Sequence, residues 1–333
     1  MTREFGSLAT HRGFLGKPPK RGSVVPFPMA PAKVFRTQVS GLVRRLRSIG
    51  CRDVVLGLSG GLDSTLALLV ADAAFARLGY DRKGLHVITM PGFGTSSRTK
   101  GNAELLCEGL GLAVETIPIA RSVRQHLRDI GHDGKTTDIT YENAQARMRT
   151  LILMDRANMT GGIVLGTGDL SEIALGWCTY NGDHMSMFGV NANVPKTVVR
   201  KVCRWYAARQ SGNQAVTRSV LDIIATPVSP ELKKGQVTED TLGPYELHDF
   251  FLWNFIMNEM APRDLLHAAL RHFDARAFPP PLVARTLETF LRRFFTQAFK
   301  RNCQPDGIRV FPFELSLRGW WIPSDLGPVR FPK

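Results

Sequence analysis

Between positions 54 and 65 the chain reads Val-Val-Leu-Gly-Leu-Ser-Gly-Gly-Leu-Asp-Ser-Thr. The chemistry of this stretch lies in Ser59, Gly60, Gly61, Leu62, Asp63, Ser64 and Thr65. The hydroxyls of Ser59, Ser64 and Thr65 can donate to phosphate oxygens, and the glycines let backbone N–H groups approach an anion closely. Asp63 is the odd member. A carboxylate repels phosphate unless a divalent cation sits between them, so the set points to Mg-pyrophosphate. The Gly-Lys-Ser/Thr ending of the Walker loop is absent.

These residues need a strand behind them and a helix in front. The apolar, β-branched run 54–58 predicts a buried parallel strand. Residues 64–76, with Leu66, Leu69, Val70 and Ala73, predict a helix whose N-terminus faces the same spot. Upstream, Phe35, Val39, Leu42, Leu46 and Ile49 mark an amphipathic helix over 32–49. Downstream, strands are expected at 85–90, 113–119 and 163–166, and helices at 102–110, after Arg121 and over 143–159. This alternation predicts a doubly wound α/β fold with right-handed crossovers. The fourth strand ends in Thr167-Gly168-Asp169-Leu170-Ser171-Glu172. Glu172 is thus a second carboxylate at a strand end, placed to share Mg²⁺ with Asp63.

The remaining composition narrows the class. At 333 residues and 44% hydrophobic, the chain can bury a sizeable core. No apolar run is long enough to span a membrane, and the basic N-terminus lacks the apolar segment of a secretory signal. Cys51, Cys107, Cys178, Cys203 and Cys303 form no Cys-x-x-Cys pair, which argues for reduced thiols and a cytoplasmic protein. The net charge of +14 is spread along the chain, so it suits nucleotide substrates without requiring nucleic acid. Residues 1–30 read as a flexible basic tail and 31–243 as the α/β domain. Residues 244–333 read as a helical extension of that domain, with helices over 245–258, 263–273 and 282–299 and a loop-like end bearing Trp320 and Trp321.

The run 59–65 resembles the pyrophosphate loop of the ATP pyrophosphatases, of the adenine-nucleotide α-hydrolase type. A second set of motifs resembles the NAD synthetases, most nearly the synthetase half of the glutamine-dependent ones. It comprises Pro91-Gly92-Phe93-Gly94-Thr95, Tyr141-Glu142-Asn143-Ala144-Gln145-Ala146-Arg147 and Gly166-Thr167-Gly168-Asp169-Leu170-Ser171-Glu172. It continues with Ile173-Ala174-Leu175-Gly176-Trp177-Cys178-Thr179-Tyr180-Asn181-Gly182-Asp183-His184 and Asn191-Ala192-Asn193-Val194-Pro195-Lys196-Thr197. Leu242-Gly243-Pro244-Tyr245-Glu246-Leu247-His248-Asp249-Phe250 and Phe299-Lys300-Arg301 complete it.

That resemblance implies a ligase. The nicotinic acid carboxylate of deamido-NAD attacks the α-phosphorus of ATP, pyrophosphate leaves, and ammonia converts the acyl-adenylate to NAD and AMP. Residues 59–65, Thr167, Lys196 and Thr226 are then expected at ATP, with Asp63 and Glu172 on Mg²⁺ and Lys196 reaching a phosphate. Asn143, Glu172, Trp177, Cys178, Thr179, Tyr180, Asp183 and Lys300 are expected at deamido-NAD, with Trp177 stacking on the pyridine ring. Read alone, Lys196 and Lys300 would be ordinary surface cations. The family generally forms homodimers, which would bury aromatic surplus from the C-terminal third. The loop 180–183 is one residue shorter than its usual form. Only the short basic stretch precedes the synthetase-like region, so the expectation is that the chain uses free ammonia, takes ammonia from a separate glutaminase subunit, or is a fragment of a longer enzyme. A tRNA-modifying pyrophosphatase would share the loop, but needs suitably placed reactive cysteines and an RNA-binding module. A degenerate non-catalytic paralogue would not be expected to keep Asp63, Thr167, Glu172 and Lys196.

Overall fold

The computed structural model describes residues 24–319 apart from 211, 230, 231, 234 and 236. The basic stretch 1–23, and Trp320 and Trp321, lie outside the described residues. Among the described residues the sheet comprises β1 (Val54–Gly57), β2 (Leu85–Thr89), β3 (Val114–Thr116), β4 (Ile163–Gly166) and β5 (Phe188–Gly189). All pairings are parallel, in the order β3-β2-β1-β4-β5. Val54 stands opposite Leu85 on one side and Ile163 on the other.

The period of two along each strand feeds two separate cores. Val54, Leu56, Leu85, Val87 and Leu165 face the core formed with α1 (Pro31–Ser48), α2 (Leu62–Leu78), α7 (Lys196–Ala207) and α8 (Gln214–Ala225). Val55, Ile88 and Val164 face the core formed with α4 (Ala120–Asp129) and α5 (Ile139–Thr160). The fold is therefore a parallel sheet between helical layers, as the alternation predicts.

From β1 the chain moves to β2 and β3, then returns to the opposite side of β1 for β4. Ligands of open α/β sheets sit where the order reverses, beyond the C-terminal strand ends. Here that crevice lies between β1 and β4. The N-termini of α2 and α6 (Leu170–Leu175) follow these two strands.

Several boundaries differ from the sequence expectation. β3 stops at Thr116, because Ile117 N–H makes one more bond to Thr89 and Pro118 then has no donor. α3 (Ser97–Leu110) begins earlier than expected because Ser96 caps it, accepting from Thr99 N–H at 3.1 Å. Asp138 likewise starts α5 early by accepting from Tyr141 N–H at 2.9 Å. β5, α7 and α8 were not foreseen.

In the C-terminal third, α9 (Thr238–Leu242) leads to α10 (Tyr245–Met257), α11 (Pro262–His272) and α12 (Pro280–Thr296), then a 3-10 turn over Ala298–Cys303. α10 is buried on nearly every side, from Tyr245 to Ile256, which fits a helix without a polar face. It packs on α6, α7, α11 and α12, and so reaches the sheet through helices that carry the crevice. Residues 24–30, read with the tail from sequence, are anchored instead. Phe27 is 3% exposed and packs on Trp253, Phe311 and Phe313 at ring distances of 5.0, 4.9 and 6.2 Å. An isolated aromatic among Pro and Ser gives no periodic signal of such docking. All five cysteines are free thiols. Among the described residues no helix is long and apolar enough to cross a membrane.

Candidate active site

The loop after β1 is shaped by its own hydroxyls. Ser59 Oγ lies 3.0 Å from Ser64 Oγ and accepts from Gly61 N–H at 3.1 Å, while Ser64 Oγ–H donates to the Gly61 carbonyl at 3.1 Å. Gly60 has φ +79°, and a Cβ there would lie 2.1 Å from the Thr99 carbonyl oxygen of α3. Only glycine satisfies both constraints. No side chain caps the N-terminus of α2, so its first N–H groups face the crevice, and Thr65 Oγ1 is buried without a hydrogen-bond partner.

Asp63, in the first turn of α2, meets the β4 side of the crevice through Lys196. Lys196 is 0% exposed, far from a surface cation, and its Nζ lies 2.5 Å from Asp63 Oδ2, 3.0 Å from Asp169 Oδ2 and 2.8 Å from Glu172 Oε1. Burial alone would depress this ammonium's pKa, but Asp169, Asp63 and Glu172 together raise it well above its ordinary value. The amine is therefore held charged. Burial pushes the partly buried Glu172 up to about 7, with Asp63 adding to the shift and Lys196 opposing it. Asp169 is likewise raised, chiefly by burial.

Asp169 is the member that the sequence reading did not assign. It is the N-cap of α6, and its Oδ1 accepts from Glu172 N–H at 2.8 Å. An Asp three residues before a Glu reads as ordinary capping, which hides its second role. Asn191 was also missed. Its Nδ2 donates to the carbonyls of Asp63 at 2.9 Å and Thr167 at 3.0 Å, stapling the start of α2 to the loop after β4. Gln38 of α1 holds Asn191 Oδ1 at 2.9 Å.

One oxygen from each of Asp63, Asp169 and Glu172 falls within 4.8 Å of the others. Asp63 Oδ1 is buried and without a hydrogen-bond partner. Three carboxyl groups share one ammonium. This oxygen-only donor set fits a hard divalent cation.

The other expected residues assemble beside this cluster. Thr179 Oγ–H donates to Asn143 Oδ1 of α5 at 2.8 Å, and Asp183 Oδ1 accepts from Thr179 N–H at 2.7 Å. Lys300 Nζ donates to the carbonyls of Gly176 at 2.8 Å and Cys178 at 2.7 Å; burial lowers its pKa. Glu172, Cys178, Asp183, His184 and Lys300 line one cavity. Trp177 is half-buried, with the Arg293 guanidinium 5.1 Å from its ring centroid. Tyr180 stacks on His184 at 5.4 Å. Thr226 stands apart from this assembly in its contacts. It caps the C-terminus of α8, and its Oγ–H donates to the Asp222 carbonyl at 2.9 Å.

The NAD synthase family pattern matches residues 34–275, through α10 and α11. The glutamine-dependent NAD(+) synthetase of Mycobacterium leprae is 38% identical over 90% of this chain and 50% of its own length. The corresponding enzyme of Thermotoga maritima is 33% identical over 76% of this chain and 42% of its own. The chain thus spans about half the length of the curated relatives it matches. Among solved structures, a glutamine-dependent NAD(+) synthetase from Cytophaga hutchinsonii superposes with TM-score 0.71 at 19% identity. It covers 88% of this chain and 54% of that one, a likeness of fold.

Proposed function

The chain belongs to the NAD synthase family, and from that premise we propose that it converts deamido-NAD to NAD by ATP-dependent amidation, releasing AMP and pyrophosphate. The observation that carries this reading is the crevice between β1 and β4. It sets an anion-binding loop and a carboxylate–lysine cluster directly beside a cavity lined by Lys300, Cys178 and Asp183.

In this reading the loop 59–65 and the free N–H groups of α2 receive the β and γ phosphates of ATP. Asp63 and Glu172, with Asp169 behind them, would hold Mg²⁺, whose charge supports departure of pyrophosphate. Lys196 Nζ, held among these carboxylates, is positioned to serve a phosphate oxygen. Asn143, Thr179 and Asp183 orient the nicotinate carboxylate, and Trp177 offers its ring to the pyridine. Lys300 rigidifies the 176–178 backbone through its two carbonyl contacts. Such a transfer needs mainly positioning and neutralisation of developing charge, and these residues supply both. Ammonia is the attacking nitrogen.

The test incubates the chain with ATP, Mg²⁺, deamido-NAD and ammonium chloride. NAD, AMP and pyrophosphate in equal amounts are expected. Formation of ADP, or no NAD, contradicts the reading.

A further inference from the structure

Lys196 is the first residue of α7, and α7 lacks a side-chain cap of its own because Pro195 occupies the N-cap position. Its leading N–H groups are taken from elsewhere. Lys196 N–H donates to Ser171 Oγ at 2.8 Å, and Thr197 N–H donates to Asp249 Oδ2 at 3.0 Å. Thr197 Oγ–H donates to the same Asp249 oxygen at 2.7 Å, and Ser171 Oγ–H donates to Asp249 Oδ1. Asp249 of α10 is thus a cap supplied by a distant helix, a favourable place for a carboxylate at a helix N-terminus.

Where these bonds end is informative. Ser171 precedes Glu172, and Thr197 follows Lys196, so one buried carboxylate joins the first turns of α6 and α7 beside both charged groups. Four residues earlier, on the same face of α10, Tyr245 places its ring centroid 5.3 Å from Lys196 Nζ. The Tyr245 hydroxyl is buried and makes no hydrogen bond. The ring, not the hydroxyl, is what faces the ammonium. Burial raises Asp249 to about 6, so keeping it charged at neutral pH is costly, and the hydrogen bonds from Ser171 and Thr197 offset that cost. None of its hydrogen bonds here serves the aromatic core around it.

We propose that Asp249 and Tyr245, in the helical C-terminal third, are positioning residues for the crevice. Asp249 sets the separation of Glu172 and Lys196, and Tyr245 steadies the Lys196 ammonium. The inference rests on the functional reading above.

The test is a double-mutant cycle on Asp249→Asn and Lys196→Met. AMP formation, apparent ATP affinity by calorimetry and thermal midpoint are measured for all four proteins. Asp249→Asn is expected to lower kcat by about 10-fold or more, the scale of one charge-assisted hydrogen bond, with KM for deamido-NAD unchanged. In the Lys196→Met background it should add less than about twofold, because both changes act through one group. Tyr245→Phe should keep wild-type kcat, and Tyr245→Leu should lose it. If Asp249→Asn does not fold, Ser171→Ala replaces it in the cycle. Losses that multiply equally in both backgrounds, or that follow the thermal midpoint alone, overturn the inference while leaving the function standing. If turnover is absent but ATP binds, the functional reading falls, and the cycle is read on ATP affinity with the same fold-changes expected. A wild-type chain that neither turns over nor binds ATP overturns both.

Discussion

The two halves of the crevice are built by opposite means. The proposed ATP half is centred on one continuous stretch, in which Ser59, Gly61 and Ser64 bond to one another within five residues. The proposed deamido-NAD half is gathered from remote segments: Asn143 meets Thr179 across 36 residues, and Lys300 meets Cys178 across 122. Local backbone geometry shapes the first half, and tertiary packing shapes the second. Damage should therefore be sharp and confined in the first half, and graded in the second.

The largest effect expected is at the charged boundary between them. Asp63→Asn should reduce AMP formation by roughly 10²-fold or more, the scale of losing one electrostatic stabiliser of a transition state. A steady-state assay that finds full activity would remove Asp63 from the chemistry. Next comes the loop itself. Gly60→Ala combines a left-handed φ, which costs a side chain roughly 1–2 kcal/mol, with the approach to the Thr99 carbonyl. The expected result is about a 10-fold or greater rise in KM for ATP with KM for deamido-NAD nearly constant. Equal changes in both would mean that the two halves are not separable.

In the assembled half the expected changes are milder. Lys300→Ala removes two hydrogen bonds to loop carbonyls and should weaken deamido-NAD binding by roughly 1–3 kcal/mol, leaving ATP affinity in place. Competition assays against each nucleotide distinguish this from general loosening, in which both affinities fall together.

These expectations also explain what could be read without a structure. The strand–glycine–helix unit was legible because hydrophobic runs, glycines and hydroxyls act within a dozen residues. So was the doubly wound order, because each strand and its following helix announce themselves by period. Lys196 was legible as a participant but not in its placement, since nothing local says that it is buried among Asp63, Asp169 and Glu172. Asp169 was masked by its capping role. Asn191 is a single amide whose partners, Asp63 and Thr167, come from other elements. Thr226 was placed by a short Thr-Pro match, and it proves to close α8 by bonding to Asp222. α7 and α8 were not foreseen, and the docking of Phe27 depends on Phe311 and Phe313, almost the whole chain away.

The smallest effect concerns the scaffold behind both halves. Burial lowers His248 to about 4, with its Nε2–H donating to the Leu242 carbonyl at 2.9 Å. Between about pH 6.5 and 4 the unfolded chain binds this proton and the folded chain does not, so the His248 contribution to stability falls as pH drops. Asp249, raised to about 6 by burial, acts oppositely: the folded chain keeps its proton longer, and that contribution falls as pH rises from about 4 to about 6. The two partly cancel in the wild type. Chemical denaturation of His248→Gln should therefore show a gain relative to wild type on acidification through 6.5, at most ~1.4 kcal/mol per pH unit. Parallel pH profiles for the two proteins would place His248 outside this balance.

The central claim is that the crevice adenylates the nicotinate carboxylate. Deamido-NAD carrying ¹⁸O in that carboxylate, turned over with ATP, Mg²⁺ and ammonia, tests it by mass spectrometry of the products. The account predicts one ¹⁸O in the phosphate of AMP for each NAD formed, because the carboxylate oxygen that attacks the α-phosphorus leaves with it. AMP free of label, or unlabelled ADP with the ¹⁸O in inorganic phosphate, would contradict it.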